Sequence, residues 1–199
     1  MRVLLPVFFL FFAVACQNDQ SDRIQTLEFE SLKVFPQPLA LDGLELISKS
    51  GEIVSINDLA GNYSVLFFGF THCPDICPTT LLDMQKINKK LEENNQPTPN
   101  FVFISVDPER DTAEALEQYI AYFNPDFKAY TADTENLKKL ASQLGVAYMV
   151  EDHEPGDKVY QVDHTAAWFV LNQDAQRVGI FTTPHVVDTI TADLQRLVQ

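Results

Sequence analysis

Apolar residues recur along this chain with two different periods. Val65 to Phe70 is a continuous apolar run, the pattern of a strand buried on both faces, and Phe101 to Val106, apolar but for Ser105, reads as a second buried strand. Between them, Leu81, Met84, Ile87 and Leu91 recur at helical spacing through a segment rich in Asn, Lys and Glu, which predicts a helix over about 77–93. Further helices are expected over about 112–123 and 134–144, with strands at about 127–131 and 146–150. Strand, helix, strand units of this kind give parallel strands with right-handed crossovers, and sites gather in the loops at the strand C-termini.

The last third changes character. Val159 to Val162 is extended, Thr165 to Leu171 is strongly apolar, and the turn-like Asn172 to Ala175 leads to a partner strand at about 176–182. That is a hairpin. Thr183-Pro184 then opens a final helix whose apolar face is Val186, Val187, Ile190, Leu194 and Leu197. Ahead of the first buried strand, Pro38 to Ile56 alternates apolar and polar residues around Asp42-Gly43 and Ser50-Gly51 and predicts a small antiparallel hairpin. The fold class is therefore α/β. A parallel unit followed by an antiparallel hairpin and a closing helix resembles the thioredoxin-like arrangement, here with an N-terminal β-hairpin extension.

The front of the chain is of another kind. Residues 1–15 carry one early Arg2, an apolar run from Val3 to Val14 and small residues before Cys16, which reads as a signal peptide of the lipoprotein type. The run is too short to span a bilayer stably. Cys16 is the expected lipidation site, and residues 16–33 the lipid-anchored linker, polar and aperiodic from Gln17 to Gln25 and needing no fold of its own. The expected product is an exported, membrane-anchored lipoprotein facing the periplasm or the cell exterior. Its folded domain spans 34–199.

Charge narrows the partners. The chain has 14 Lys plus Arg against 28 Asp plus Glu, a net charge of −14, and removal of the segment holding Arg2 makes it more negative. That balance argues against nucleic acid as a partner. The acidic surface suits solubility, cations or a basic protein alike.

Three cysteines occur in the whole chain, and once Cys16 is lipidated the pair Cys73 and Cys77 remains. They lie just past the C-terminal end of the first buried strand, and Cys77 lies near a helix N-terminus, where unpaired amides and the macrodipole favour a thiolate. At i and i+4 the two sulfurs can converge on one point, to close a disulfide in exported, metal-free protein or to chelate one soft metal ion. The spacing is one residue longer than the CxxC redox motif. A purely structural disulfide, or two buried free thiols, is the plainer alternative.

A neutral imidazole would complete such a site, and the chain offers His72, His153, His164 and His185. His72 directly precedes Cys73 and is expected to point away from it. His185 is expected in the first turn of the last helix, and the acidic loop Glu151 to Asp157 could gather cations around His153 but reads equally as a solvated loop. His164 precedes the apolar strand that opens the hairpin, which in a thioredoxin-like fold lies across from the cysteine turn. Thioredoxins place a cis-proline at that spot, whereas no proline occurs here between Pro155 and Pro184. In SVDPERDT at 105–112, Asp107 or Asp111 could hydrogen-bond a site residue, and Asp107 is kept as an outer-shell candidate; the plainer reading of that stretch is that Asp111 or Thr112 caps the next helix and Arg110 pairs locally.

Three motifs, GFTHCPDICPTTL at 69–81, SVDPERDT at 105–112 and YQVDHTAAWFVL at 160–171, resemble the SCO/SenC copper proteins. The resemblance implies a thioredoxin-like domain that binds copper through Cys73, Cys77 and His164 and helps assemble the binuclear copper centre of cytochrome c oxidase. The implied partners are the copper-receiving subunit of that oxidase or another copper protein, and the membrane through the lipid anchor. The hairpin turn departs from the pattern, with Ala175 where glycine is common. Chemistry agrees with the metal: thiolates select Cu(I), two thiolates and an imidazole make a three-coordinate site for it, and Cu(II) prefers nitrogen and oxygen donors. Zinc would want a fourth ligand. A thiol-disulfide reductase acting on cysteines of a copper-receiving protein would use the same dithiol without His164. A peroxidase ranks last, because Thr71 is only two residues before Cys73 and no proline lies between Pro38 and Pro74 to complete a peroxidatic motif.

Overall fold

The computed structural model describes residues 19–199. Cys16 and the apolar segment before it lie outside the described residues, so the expected lipidation falls there too. Among the described residues no helix is long and apolar enough to cross a membrane.

The two apolar runs form the centre of the large sheet. β4 (Ser64–Gly69) and β5 (Asn100–Ser105) pair in parallel, Phe67 against Phe103, and every residue of β4 is buried. Helices cover both faces of such strands, so no polar alternation is needed. The remaining parallel strand is β6 (Lys128–Thr131), and the crossovers are α2 (Ile76–Glu93) and α3 (Ala113–Phe123). The Thr112 hydroxyl caps α3 by accepting from the Ala115 N–H at 3.3 Å. A further helix, α4 (Thr134–Leu144), ends on Gly145, whose φ of +80° is the left-handed geometry that glycine adopts without strain.

The expected C-terminal hairpin is β9 (Trp168–Leu171) with β10 (Arg177–Phe181); β9 runs antiparallel to β4, and α5 (Val187–Val198) closes the fold. Ala175 in its turn has a φ of +56°, so an alanine occupies the conformation that favours glycine. The Asn172 side chain braces that turn, accepting from the N–H groups of Asp174 and Gln176.

The N-terminal extension is larger than the hairpin expected at 38–56. That hairpin forms over β2 (Glu45–Ser48) and β3 (Ile53–Ser55) and adds to the outer edge of β6, but Pro38 belongs to a separate strand, β1 (Leu32–Leu39), which pairs with β10 at the opposite edge. The sheet order is β1-β10-β9-β4-β5-β6-β2-β3. The extension thus covers both edges of a thioredoxin-like sheet.

Two expectations need correction. The segment at 17–25 was expected to need no fold, yet Asp19–Thr26 is a helix, α1, with Ile24 buried. Order continues from there into β1, where Leu32 is buried, because the Asp193 carboxylate of α5 accepts hydrogen bonds from the backbone N–H groups of Glu30, Ser31 and Leu32 and from the Ser31 hydroxyl, all at 2.7–2.9 Å. Burial alone would raise the pKa of Asp193, but these donors outweigh it and hold the group below the ordinary carboxylate value. The strand expected at 146–150 forms as β7 (Tyr148–Val150) but does not join the large sheet; it pairs only with β8 (Val162–His164) in a two-stranded ribbon. Met149 is exposed there, so the stretch lacks the two apolar faces that a central position demands.

Candidate metal centre

β4 stops at Gly69 because the chain must turn where a side chain cannot be accommodated. A Cβ on Gly69 would lie 2.7 Å from the Cys77 Sγ and 2.8 Å from the Cε2 of Phe103, so the absent side chain is the room in which the sulfur sits. The turn that follows is pinned from below. Asp111, fully buried, accepts from the Thr71 N–H at 2.8 Å, the Thr71 hydroxyl at 2.6 Å and the Ser105 hydroxyl at 2.5 Å. Burial raises its pKa, partly offset by those donors. The sequence offers Asp111 as a hydrogen-bond partner of a site residue or, more plainly, as the helix cap; Thr112 does the capping, which frees the carboxylate for the cysteine turn.

Cys73 is half-buried and Cys77 fully buried, and both are free. Cys77 stands in the first turn of α2, and its N–H donates to the Cys73 Sγ at 3.4 Å. The Cys77 thiol, itself hydrogen-bonded to the Cys73 sulfur, holds Cys73 down at a pKa of about 5 against the opposing effect of burial, and backbone amides at 75 and 77 help. The same bond, with burial, pushes Cys77 far up. The pair therefore shares one proton at neutral pH: Cys73 is the thiolate and Cys77 the thiol.

His164 arrives from the other side, at the end of β8. Its Nε2 lies 3.4 Å from the Cys77 Sγ, and its Nδ1 lies 3.3 Å from the Thr165 carbonyl. A carbonyl can only accept, so Nδ1 carries the proton and, in the neutral ring, the Nε2 lone pair faces the sulfurs. Phe67 and Phe70 meet the imidazole edge-on, with ring centroids 5.7 and 6.0 Å away. Together the Cys73, Cys77 and His164 donor atoms lie within 4.8 Å of one another, the one such cluster among the described residues. Two sulfurs and an aimed nitrogen are the donor set of a soft, low-coordinate metal ion.

The other candidates fall outside this cluster. His72 turns toward Thr71, its Nδ1 3.0 Å from the hydroxyl. His185 lies ahead of α5 rather than in its first turn and stacks on Trp168 at 4.2 Å. His153 bonds Glu151 and Glu109 and stacks on Tyr160 at 3.7 Å. Asp107 does not touch the cysteine turn. It is buried, paired with Arg110, and accepts from the Tyr160 hydroxyl at 2.6 Å. Arg110 in turn lies 3.6 Å from the centre of the Tyr160 ring and donates to the Tyr160 carbonyl at 3.1 Å. Asp107 and Arg110 thus secure the chain four residues before His164, a role with no sequence signal because 107 and 160 are brought together only by the fold.

A thioredoxin-like domain carrying a dithiol and an imidazole at one point, with histidine in place of the usual proline, defines the class. The sequence profile of the SCO1/SenC family matches residues 40–199, and the chain belongs to that family. It is 33% identical over 195 residues to "Protein SCO1 homolog 1, mitochondrial" of Arabidopsis thaliana, an alignment covering 92% of this chain and 58% of that protein. The fold matches the crystal structure of Arabidopsis thaliana ScoI with copper bound, with a TM-score of 0.72, 35% identity and coverage of 79% of this chain and 98% of that one. The solution structure of apo Sco1 from Thermus thermophilus matches with a TM-score of 0.74 and 33% identity, over 86% of this chain and 98% of that one.

Proposed function

We propose that this protein holds one copper ion on Cys73, Cys77 and His164 and delivers it to the binuclear copper centre of cytochrome c oxidase, from an exported position tethered to a membrane through lipidated Cys16. The observation that carries the reading is the convergence of two sulfurs and the Nε2 lone pair within 4.8 Å; Cu(I) accepts such a donor set, and relatives of this chain are copper-bound. The residues supply what transfer needs. Cys73 is accessible and already anionic, so it can receive or surrender the ion first, while buried Cys77 and His164 close the coordination.

Anaerobic Cu(I) titration of the reduced protein beside its His164→Ala variant tests the site. Wild type should bind one ion tightly; the variant should keep weak two-coordinate Cu(I) binding and lose any stable Cu(II) form. In cells at limiting copper, deleting the gene should lower oxidase activity and its binuclear copper content, and a His164→Ala copy should not restore them. Full restoration would remove copper delivery through this site. For Cys16, fatty-acid labelling that persists in a Cys16→Ala variant would overturn the tether.

One observation favours a second reading. A half-exposed Cys73 thiolate beside a buried, protonated Cys77 is also the division of labour of an attacking and a resolving cysteine. A reductase of that kind would lose turnover with either cysteine and keep it in His164→Ala.

A further inference from the structure

Tyr119 lies on the face of α3 turned to the sheet, between Phe103 and Phe123, with ring centroids 5.7 and 5.2 Å away. Its ring is partly buried, but its hydroxyl is sealed from solvent and has no hydrogen-bond partner among the described residues. An orphaned buried donor is rare, and a phenylalanine would fill the same space without one. The place of this hydroxyl is informative. Phe103, against which Tyr119 packs, reaches the space over Gly69 that the Cys77 sulfur also reaches, both within 2.8 Å of one point. Tyr119 therefore stands behind the buried half of the dithiol. After burial, the sulfurs of Cys77 and then Cys73, followed by Asp111, are what push its phenol pKa up.

We propose that Tyr119 is a positioning residue for the metal centre, its hydroxyl donating a hydrogen bond to the Cys77 sulfur when that sulfur is a metal-bound thiolate. A thiol is a weak acceptor, which leaves the hydroxyl unpartnered in the metal-free protein; a thiolate is a charged one and draws the donor in. The inference rests on Cys77 being a ligand, as in the function proposed above. It goes further in making the loaded and empty states differ in one internal bond, supplied from α3 rather than from the cysteine turn or the histidine segment.

The test is Tyr119→Phe in the reduced full-length chain, with Cys77→Ala in parallel. Anaerobic competition for Cu(I) against a chromophoric chelator should show about ten- to a hundred-fold weaker binding by Tyr119→Phe, the range expected for a hydrogen bond to a charged acceptor. The metal-free variant should melt at the same temperature as the parent or higher, because an unsatisfied hydroxyl has been removed without changing the ring. With Cu(II), the thiolate-to-copper charge-transfer band should move to longer wavelength, since a thiolate stripped of its donor holds its electrons less tightly. Unchanged Cu(I) affinity would overturn the proposal, and so would an affinity loss accompanied by a lower melting temperature of the metal-free protein, which marks a packing role. If Cys77→Ala also binds Cu(I) like the parent, the failure belongs to Cys77 as a ligand and the function reading falls with it.

Discussion

The cysteine turn and the segment that carries His164 meet at one point but are secured by different forces. Cys73 and Cys77 follow β4, a strand hydrogen-bonded on both sides, to β5 and β9, and their turn is pinned by the buried Asp111. His164 ends β8, which pairs only with the three-residue β7 outside the large sheet, between an exposed Met149 and an exposed Val159. Ladders on both sides fix the strand ahead of the sulfurs. The imidazole depends on one short ladder, continued by the Thr165 N–H to the Ala147 carbonyl, and on side chains: Asp107 and Arg110 grip Tyr160, and Phe67 and Phe70 bracket the ring. A site built this way has a rigid half and a half whose stability hangs on a few contacts, each removable by one substitution.

The largest expected effect is at Arg110. Arg110→Leu leaves Asp107 buried without its cation, a change that typically costs about 3–5 kcal/mol. Urea denaturation should show the loss, and amide exchange should show protection vanishing first over 158–164 while 64–69 stays protected. Equal loss in both segments would erase the distinction between the two halves. Gly69→Ala attacks the rigid half instead, driving a Cβ against the Cys77 sulfur and the Phe103 ring. Overpacking of that kind costs about 1–3 kcal/mol, and Cu(I) affinity should fall with it; an alanine variant that binds like the parent would show the turn to be pliable.

Acidity separates the halves more gently. Copper needs both thiolates, while between pH 5 and neutrality Cys73 is already ionised and Cys77 is not. Each ion bound should then release one proton, from Cys77, and affinity should rise about tenfold per pH unit. Below pH 5 Cys73 gains a proton as well, and the dependence should steepen. Measuring it in His164→Ala isolates the cysteines; a slope near zero above pH 5 would mean that Cys77 is already a thiolate. The smallest effect is expected from His153→Gln, which removes the stack on Tyr160. Amide exchange over 158–164 should quicken and Cu(I) affinity should not change, since His153 steadies the segment without entering the ligand cluster.

The same division explains what could be read from the sequence. The rigid half was legible because the apolar runs at 65–70 and 101–106, the second broken only by Ser105, dictate buried strands, and cysteines placed just after one of them must surface at its end. His164 was legible through the order of elements. The contacts that hold it were not, because Asp107 and Arg110 share one loop and Tyr160 belongs to another, their meeting depends on the crossover, and a local cap was the plainer explanation of SVDPERDT. The ribbon escaped for a related reason: three-residue strands leave too short a pattern to assign to one sheet or another. The true length of the N-terminal region was hidden because α1 is polar apart from Ile24, and its docking rests on a carboxylate that lies more than 160 positions away.

That carboxylate also decides where the protein can be severed. Glu30, Ser31 and Leu32 donate to Asp193 across the edge of the domain. A protease cutting at residue 33 would strip those donors from a buried anion, at about 1–3 kcal/mol or more for a charged group, and would expose the pocket that Leu32 fills. Removal of the N-terminal segment without loss of the clamp therefore requires a cut ahead of Glu30. Scission after Leu32 would damage what it frees, so the clamp sets how far into the chain a protease can cut and leave the fold intact.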